Sequence, residues 1–420
     1  MNYTAISMCN DESSKVCTTT TTDSEPVDEN PLFWPLQVGS MTLNHRVVLA
    51  PMTRCRAIGG VPQDAHVEHY MQRATPGGLL ITEANAVAPE GYGFAHTPGI
   101  FTEEQVNAWR KVVDAVHVKG CYIYCQIWHV GRASHKYHQP NGAAPVSPTS
   151  IGIQTPFLFR LSGGKMVPFS EPRALATHEI PPILQQFKQA AKNAIAAGFD
   201  GVELHAAHGY LLDQFLKDGI NDRKDEYGGS LENRCRFLFD IVTAITAEIG
   251  SQRTSVRISP IIDHIGATDS NPVALGVHLA RNLSRFNLAY LHVTEPRFHA
   301  QGVSDTQLNC KIFRDQYEGV FMCTGGYTRE EGMKAIRTGY TDLISYGRLF
   351  LANPDLPSRF YFDLELNEYD RSTFYTHDPY VGYIDYPQAT TTTFDKGVPL
   401  TNDGRFCLAK PIPAIQVENV

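Results

Sequence analysis

A chain of 420 residues with 42% apolar and 19% charged side chains holds enough apolar material for one large barrel or two ordinary domains. Its formal charge of -8, with no basic block, speaks against nucleic acid as the main partner, and no run of about 18 apolar residues is present to span a bilayer. The nine scattered cysteines, without a CxxC spacing, fit reduced intracellular thiols better than a disulfide or zinc framework.

Residues 1–30 are polar. They carry a Thr18–Thr22 run, and Asp11, Glu12, Asp23, Glu25, Asp28 and Glu29 outnumber Lys15. An apolar centre or an Arg-rich, acid-poor composition would mark a targeting segment, and neither is present, so this arm is expected to be disordered. Apolar runs then predict strands at Val47–Met52, Leu79–Ala84, Tyr122–Ile127, Gly201–Leu204, Ser255–Ser259, Ala289–Val293, Val320–Thr324 and Leu343–Tyr346. Helical periodicity fills the intervals at Asp64–Arg73, Glu103–Lys119, Pro182–Ala197, Leu231–Ile249, Pro272–Phe286, Ile312–Tyr317 and Arg329–Thr338, with a short helix after Pro354. In Glu103–Lys119 the stripe is Val106, Trp109, Val113 and Val116.

Eight strands alternating with eight helices predict an α/β fold, a (β/α)₈ TIM barrel over residues 31–387. An open doubly wound sheet is the alternative, weakened because no GxGxxG turn follows the first strand. Residues 134–177, rich in Pro, Gly and Ser, are too long for a βα loop and predict an excursion over the barrel mouth. The aromatic region after Phe360 is expected to pack across the barrel, and residues 388–420 to form a loose tail.

Barrels place chemistry at the C-terminal ends of their strands. The fourth strand runs into His205, His208 and Tyr210, three side chains able to donate a proton or hydrogen bond within one turn of backbone. The last two strands end in Gly325-Gly326 and Gly347-Arg348, where barrels commonly bind phosphate. No acidic ligand lies near His208 and no HxH ends the first strand, so no metal is expected. A phosphate site, the amide of Gln126, an interior Arg257 and the two histidines together suit a flavin mononucleotide (FMN).

Longer motifs sharpen this. Ala50-Pro-Met-Thr-Arg54, Gln126-Ile-Trp-His-Val-Gly-Arg132, His205-Ala-Ala-His-Gly-Tyr-Leu-Leu-Asp-Gln-Phe215, Thr324-Gly-Gly-Tyr-Thr-Arg329 and Tyr346-Gly-Arg-Leu-Phe350 occur in order. With them the chain resembles the Old Yellow Enzyme family of FMN-dependent ene-reductases, and within it the plant 12-oxophytodienoate reductases. The resemblance implies that Pro51, Met52, Thr53, Ala84, Gln126, Arg257, Gly325, Gly326, Gly347 and Arg348 hold non-covalent FMN. It implies that His205 and His208 bind the carbonyl oxygen of an α,β-unsaturated carbonyl substrate, and that Tyr210 protonates the α-carbon. Phe94, Trp128, His264, Arg297 and Tyr375 would line the pocket or its rim. NADPH would reduce the flavin and leave before substrate enters, a ping-pong scheme that needs no dinucleotide fingerprint.

Phe94 and His264 resemble the plant group that reduces the jasmonate precursor; the other group has tyrosines there. A general enone reductase and a non-catalytic flavin-binding paralogue remain open. Cytoplasmic residence is expected, with a peroxisome as the alternative, although the chain ends Val-Glu-Asn-Val rather than in a Ser-Lys-Leu type address. A monomer or weak homodimer is expected.

Overall fold

The computed structural model describes residues 30–389 except 155, 162–163, 297, 300–301 and 304–307. The expected arm, nearly all of the expected tail and Arg297 lie outside the described residues.

All eight expected strands form: Val47–Leu49, Leu79–Ile81, Tyr122–Trp128, Gly201–Ala206, Thr254–Ile258, Tyr290–Thr294, Phe321–Thr324 and Leu343–Tyr346. They pair in parallel in chain order. The eighth pairs with the first (Tyr346 opposite Leu49) and the third with the fourth (Gln126 opposite Glu203), so the sheet closes into a (β/α)₈ barrel. The first two strands are shorter than expected, ending before Pro51, which has no N–H for the ladder, and before Glu83.

Side chains alternate across the wall as the pleat requires. Ile123, Cys125, Ile127, Val202, Leu204, Val256, Ile258, Leu291 and Val293 face the surrounding helices in one large apolar cluster. Inward-facing residues divide by height. Val48, Leu79, Ile81, Tyr124, Tyr290, Met322 and Leu343 fill the N-terminal end, where a hairpin of Leu36–Val38 and Met41–Leu43 packs with them. Towards the other end the interior turns polar: Gln126, Glu203, His205, Arg257, His292, Thr294, Thr324 and Ser345 are all buried.

The helices Asp64–Arg73 and Leu231–Ile249 match their expected bounds, and the others shift by a few residues. Ile312–Tyr317 shrinks to Lys311–Arg314. Two further helices, Leu211–Leu216 and Arg348–Ala352, follow the fourth and eighth strands. The excursion over 134–177 pairs Val146–Ser147 with Arg173–Ala174 and forms a hairpin from Phe159–Arg160 and Met166–Val167. The segment after Phe360 is held by two buried arginines. Arg54 donates to the carbonyls of Phe374 and Gly382, and Arg56 to those of Thr373, Asp378 and Val381. No helix among the described residues is long and apolar enough to cross a membrane.

Candidate active site

At the C-terminal end of the barrel lies a cavity of about 1530 Å³. That exceeds the roughly 300–1,000 Å³ usual for one small ligand and leaves room for a cofactor and a second ligand together. Pro156, Phe157, Arg160, Leu161 and Met166 from the excursion line it, as do Phe374 and Tyr375 from the C-terminal segment, so both cover the mouth as expected.

The cavity brings together every expected site residue that is described: Pro51, Met52, Thr53, Ala84, Phe94, Gln126, Trp128, His205, His208, Tyr210, Arg257, His264, Gly325, Gly326, Gly347, Arg348 and Tyr375. Cys55, Asp263, Thr294 and His377 also line it and carried no assignment in the sequence.

One wall is aromatic and imidazole. Phe94 stacks on Trp128 at 5.9 Å between ring centroids and 10° between planes. Trp128 in turn stacks on His205 (5.9 Å, 22°) and meets the edge of Tyr210 at 4.7 Å. His205 lies 5.4 Å from His208 and 5.0 Å from Tyr210, both edge-on. The three expected chemical groups thus form one contiguous face.

A tight turn places two of them. His208 has φ 58°, a left-handed conformation that a non-glycine residue adopts only when its surroundings hold it there. Those surroundings are visible. The His208 N–H donates to Ser259 Oγ at 2.8 Å and the Gly209 N–H to Asp213 Oδ2 at 2.8 Å. Buried Lys217 lies 3.1 Å from Asp213 and donates to the carbonyls of Ser259 and Ile262. His208 Nε2 meets Thr294 Oγ1 at 3.0 Å.

The electrostatics keep this wall uncharged. Burial, then the neighbouring Arg257, pushes the pKa of His205 well below the usual imidazole value, and the same two causes act on His208. Burial, followed by Tyr375 and Cys55, raises the Tyr210 phenol above its ordinary value, so the proton stays on the oxygen. Two neutral imidazoles and a protonated phenol are donors without net charge.

Opposite lie the two glycine turns. Gly325 has φ 155° and Gly326 φ 77°. A Cβ on Gly325 would stand 2.4 Å from Glu295 Cβ, and one on Gly347 2.9 Å from Met52 Sδ. Both turns therefore leave bare backbone beside the Arg348 guanidinium, a suitable cradle for a phosphate. Deeper in the cavity, Arg257 Nε is buried with no hydrogen-bond partner among the described residues, as is Nδ1 of His205. The donors, the cradle and the unpartnered Arg257 Nε–H fit FMN.

The sequence model of the NADH:flavin oxidoreductase / NADH oxidase family matches residues 31–367. The chain belongs to this family, the Old Yellow Enzymes. It is 54% identical over 379 residues to 12-oxophytodienoate reductase 7 of Oryza sativa subsp. japonica, covering 87% of this chain and 96% of that protein. It is 48% identical over 371 residues to 12-oxophytodienoate reductase 2 of Arabidopsis thaliana, covering 88% and 99%. Among solved structures, morphinone reductase superposes with a TM-score of 0.82 at 41% identity, covering 88% of this chain and 99% of that one. Morphinone reductase in complex with tetrahydroNAD gives 0.81, also at 41% identity, with 87% and 99% covered. As an Old Yellow Enzyme the chain is an FMN-dependent ene-reductase.

Two features of this family member were not legible from spacing. Glu203 lies in the sequence stretch that ends at His205, yet its partners, Gln126 and His292, come from other strands. In the wall behind the seventh strand, Glu295, Cys310 and Cys323 bring their ligand atoms within 4.8 Å of one another, with the Tyr327 and Tyr340 hydroxyls donating to the carboxylate. These three residues do not line the cavity.

Proposed function

We propose that this Old Yellow Enzyme reduces the C=C bond of α,β-unsaturated carbonyls at the expense of NADPH, with 12-oxophytodienoic acid as its substrate and a role in jasmonate formation. The observation that carries this is the continuous face of Trp128, His205, His208 and Tyr210 looking into a cavity that also holds the glycine cradle.

FMN held in this cavity would supply the hydride for the β-carbon of the substrate, with NADPH as its reductant. The chain's residues do the rest. His205 and His208 donate hydrogen bonds to the carbonyl oxygen, where negative charge develops as the double bond is reduced. A donor aimed at developing charge contributes about 2.7–4 kcal/mol. Neutral imidazoles suit this role, since they present N–H groups without releasing a proton. Tyr210 delivers its proton to the α-carbon; with a raised pKa it serves as an acid only beside an incipient carbanion. Thr53 lines the cavity, where it would hydrogen-bond the flavin, and Gly325, Gly326, Gly347 and Arg348 would hold its phosphate. Phe94, Trp128 and His264 line the substrate space, with Tyr375 at the rim.

The preference for 12-oxophytodienoic acid rests on Phe94 and His264, and on relatives in rice and Arabidopsis that carry its name. Rates of flavin reoxidation by 12-oxophytodienoic acid and by cyclohexenone, compared in the natural chain and in the Phe94→Tyr/His264→Tyr double variant, test it. The double variant is expected to lower kcat/KM for 12-oxophytodienoic acid about tenfold relative to cyclohexenone. An unchanged ratio overturns the assigned preference and leaves a general enone reductase.

A further inference from the structure

Glu203 stands at the centre of a buried polar line that crosses the barrel beneath the cavity. One of its oxygens accepts from Gln126 Nε2 at 2.7 Å, the other meets His292 Nδ1 at 2.9 Å, and His292 Nε2 meets Ser345 Oγ at 2.9 Å. The third, fourth, sixth and eighth strands each contribute one residue, and none of the four side chains is appreciably exposed.

Two consequences follow from the chemistry of a carboxylate. It only accepts hydrogen bonds, so the NH₂ end of the Gln126 amide must face it. The Gln126 oxygen is thereby turned away; it has no protein partner among the described residues, and Gln126 lines the cavity. The second consequence is charge. Arg257 lies opposite both His205 and His292 in the strand register, one pleat above the Glu203 layer. Burial presses Glu203 towards its acid form, but His292, Arg257 and Gln126 outweigh it and hold the carboxyl below its usual range. Burial lowers His292 while Glu203 raises it, so Glu203 is the carboxylate of this hydrogen-bonded pair, with Arg257 the permanent cation beside it.

We propose that Glu203 is a positioning residue of the cofactor site: it holds the Gln126 amide with its oxygen toward the N3–H of the flavin ring, and it opposes Arg257 in setting the flavin's reduction potential. This rests on the assignment of the cavity to FMN. A reduced flavin carries more negative charge than an oxidised one, so a fixed carboxylate near the ring disfavours reduction and a fixed guanidinium favours it.

Dye equilibration of the full-length holoenzyme measures the potential. Glu203→Gln keeps the volume and removes the charge; it is expected to shift the ratio of reduced to oxidised FMN at least tenfold toward reduced, about 30 mV for a two-electron couple. A shift below threefold overturns the electrostatic role. Reconstitution with N3-methyl FMN tests the orientation. The natural chain is expected to bind it at least tenfold more weakly than FMN. In Glu203→Gln the Gln126 amide is free to turn, and the difference is expected to fall below threefold; an undiminished difference overturns the positioning role. Glu203→Asp keeps the charge but withdraws it by one methylene, so the potential is expected to stay within threefold of the natural ratio while the discrimination relaxes. If Glu203→Gln does not fold, this variant decides, and retained discrimination in it overturns the proposal. A folded natural chain that takes up no FMN would instead contradict the cofactor assignment beneath it.

Discussion

His205 and Arg257 are register partners on the fourth and fifth barrel strands, so a permanent cation stands beside a buried imidazole. Burial first, and that cation second, keep His205 neutral at physiological pH. His208 is held the same way. The rate of enone reduction by reduced enzyme is therefore expected to be flat between about pH 6 and 8, without the inflection of a free imidazole near 6.5. Stopped-flow reoxidation across that range checks this, and a titration centred near 6.5 would show that a charged histidine takes part.

The same burial has a price in acid. The pKa of His45 and of His129 falls to about 4, and His69, His205 and His208 are also well below the ordinary value, burial being the largest cause in each. A histidine depressed in the fold binds fewer protons there than in the unfolded chain. Its contribution to stability is full above about pH 6.5 and is lost as pH falls from 6.5 toward the folded pKa. For His45 and His129 the loss is on the order of 3 kcal/mol each by pH 4. Urea midpoints are expected to fall steeply between pH 6.5 and 4; a constant midpoint would mean these imidazoles are not buried neutral.

Tyr210→Phe removes only the phenolic hydroxyl and keeps the ring that makes the edge contacts to Trp128 and His205. Reoxidation by enone is expected to slow about 10²–10⁴-fold, while FMN content and reduction by NADPH stay within twofold. Equal slowing of both half-reactions would point to a disturbed cofactor instead of a missing acid.

Gly325→Ala places a methyl 2.4 Å from Glu295 Cβ at φ 155°. Backbone and neighbour must both yield, at a cost of more than about 1 kcal/mol, and the phosphate cradle moves with them. FMN affinity is expected to drop at least tenfold with a lower melting temperature. Undiminished affinity would place the phosphate elsewhere.

Much of this is legible in the sequence. The strands carry short apolar runs, and their number and alternation with helices determine the barrel. The chemical residues stand at strand ends because barrels put loops there, so His205, Tyr210 and the glycine turns announced themselves. What stayed hidden depends on register. Glu203 has no local signal: its partner Gln126 is 77 positions away and becomes its neighbour only when the third and fourth strands pair. Leu211–Leu216 was missed for a different reason. All six residues of that helix are buried, so no polar face gives it a period. Arg54 reads as the end of a motif and Arg56 carries no signal, and the bonds of both to the carbonyls of residues beyond 370 appear only in the fold.

The central claim is that the face of His205, His208 and Tyr210 works against FMN on a bound enone. The most direct test is anaerobic. The full-length protein is reduced with one equivalent of NADPH, mixed with an enone in D₂O, and the product is read by NMR. The yellow colour is expected to bleach and return, with solvent deuterium at the α-carbon of the product. A flavin that stays reduced in the presence of enone, or a product without solvent deuterium at the α-carbon, would contradict this.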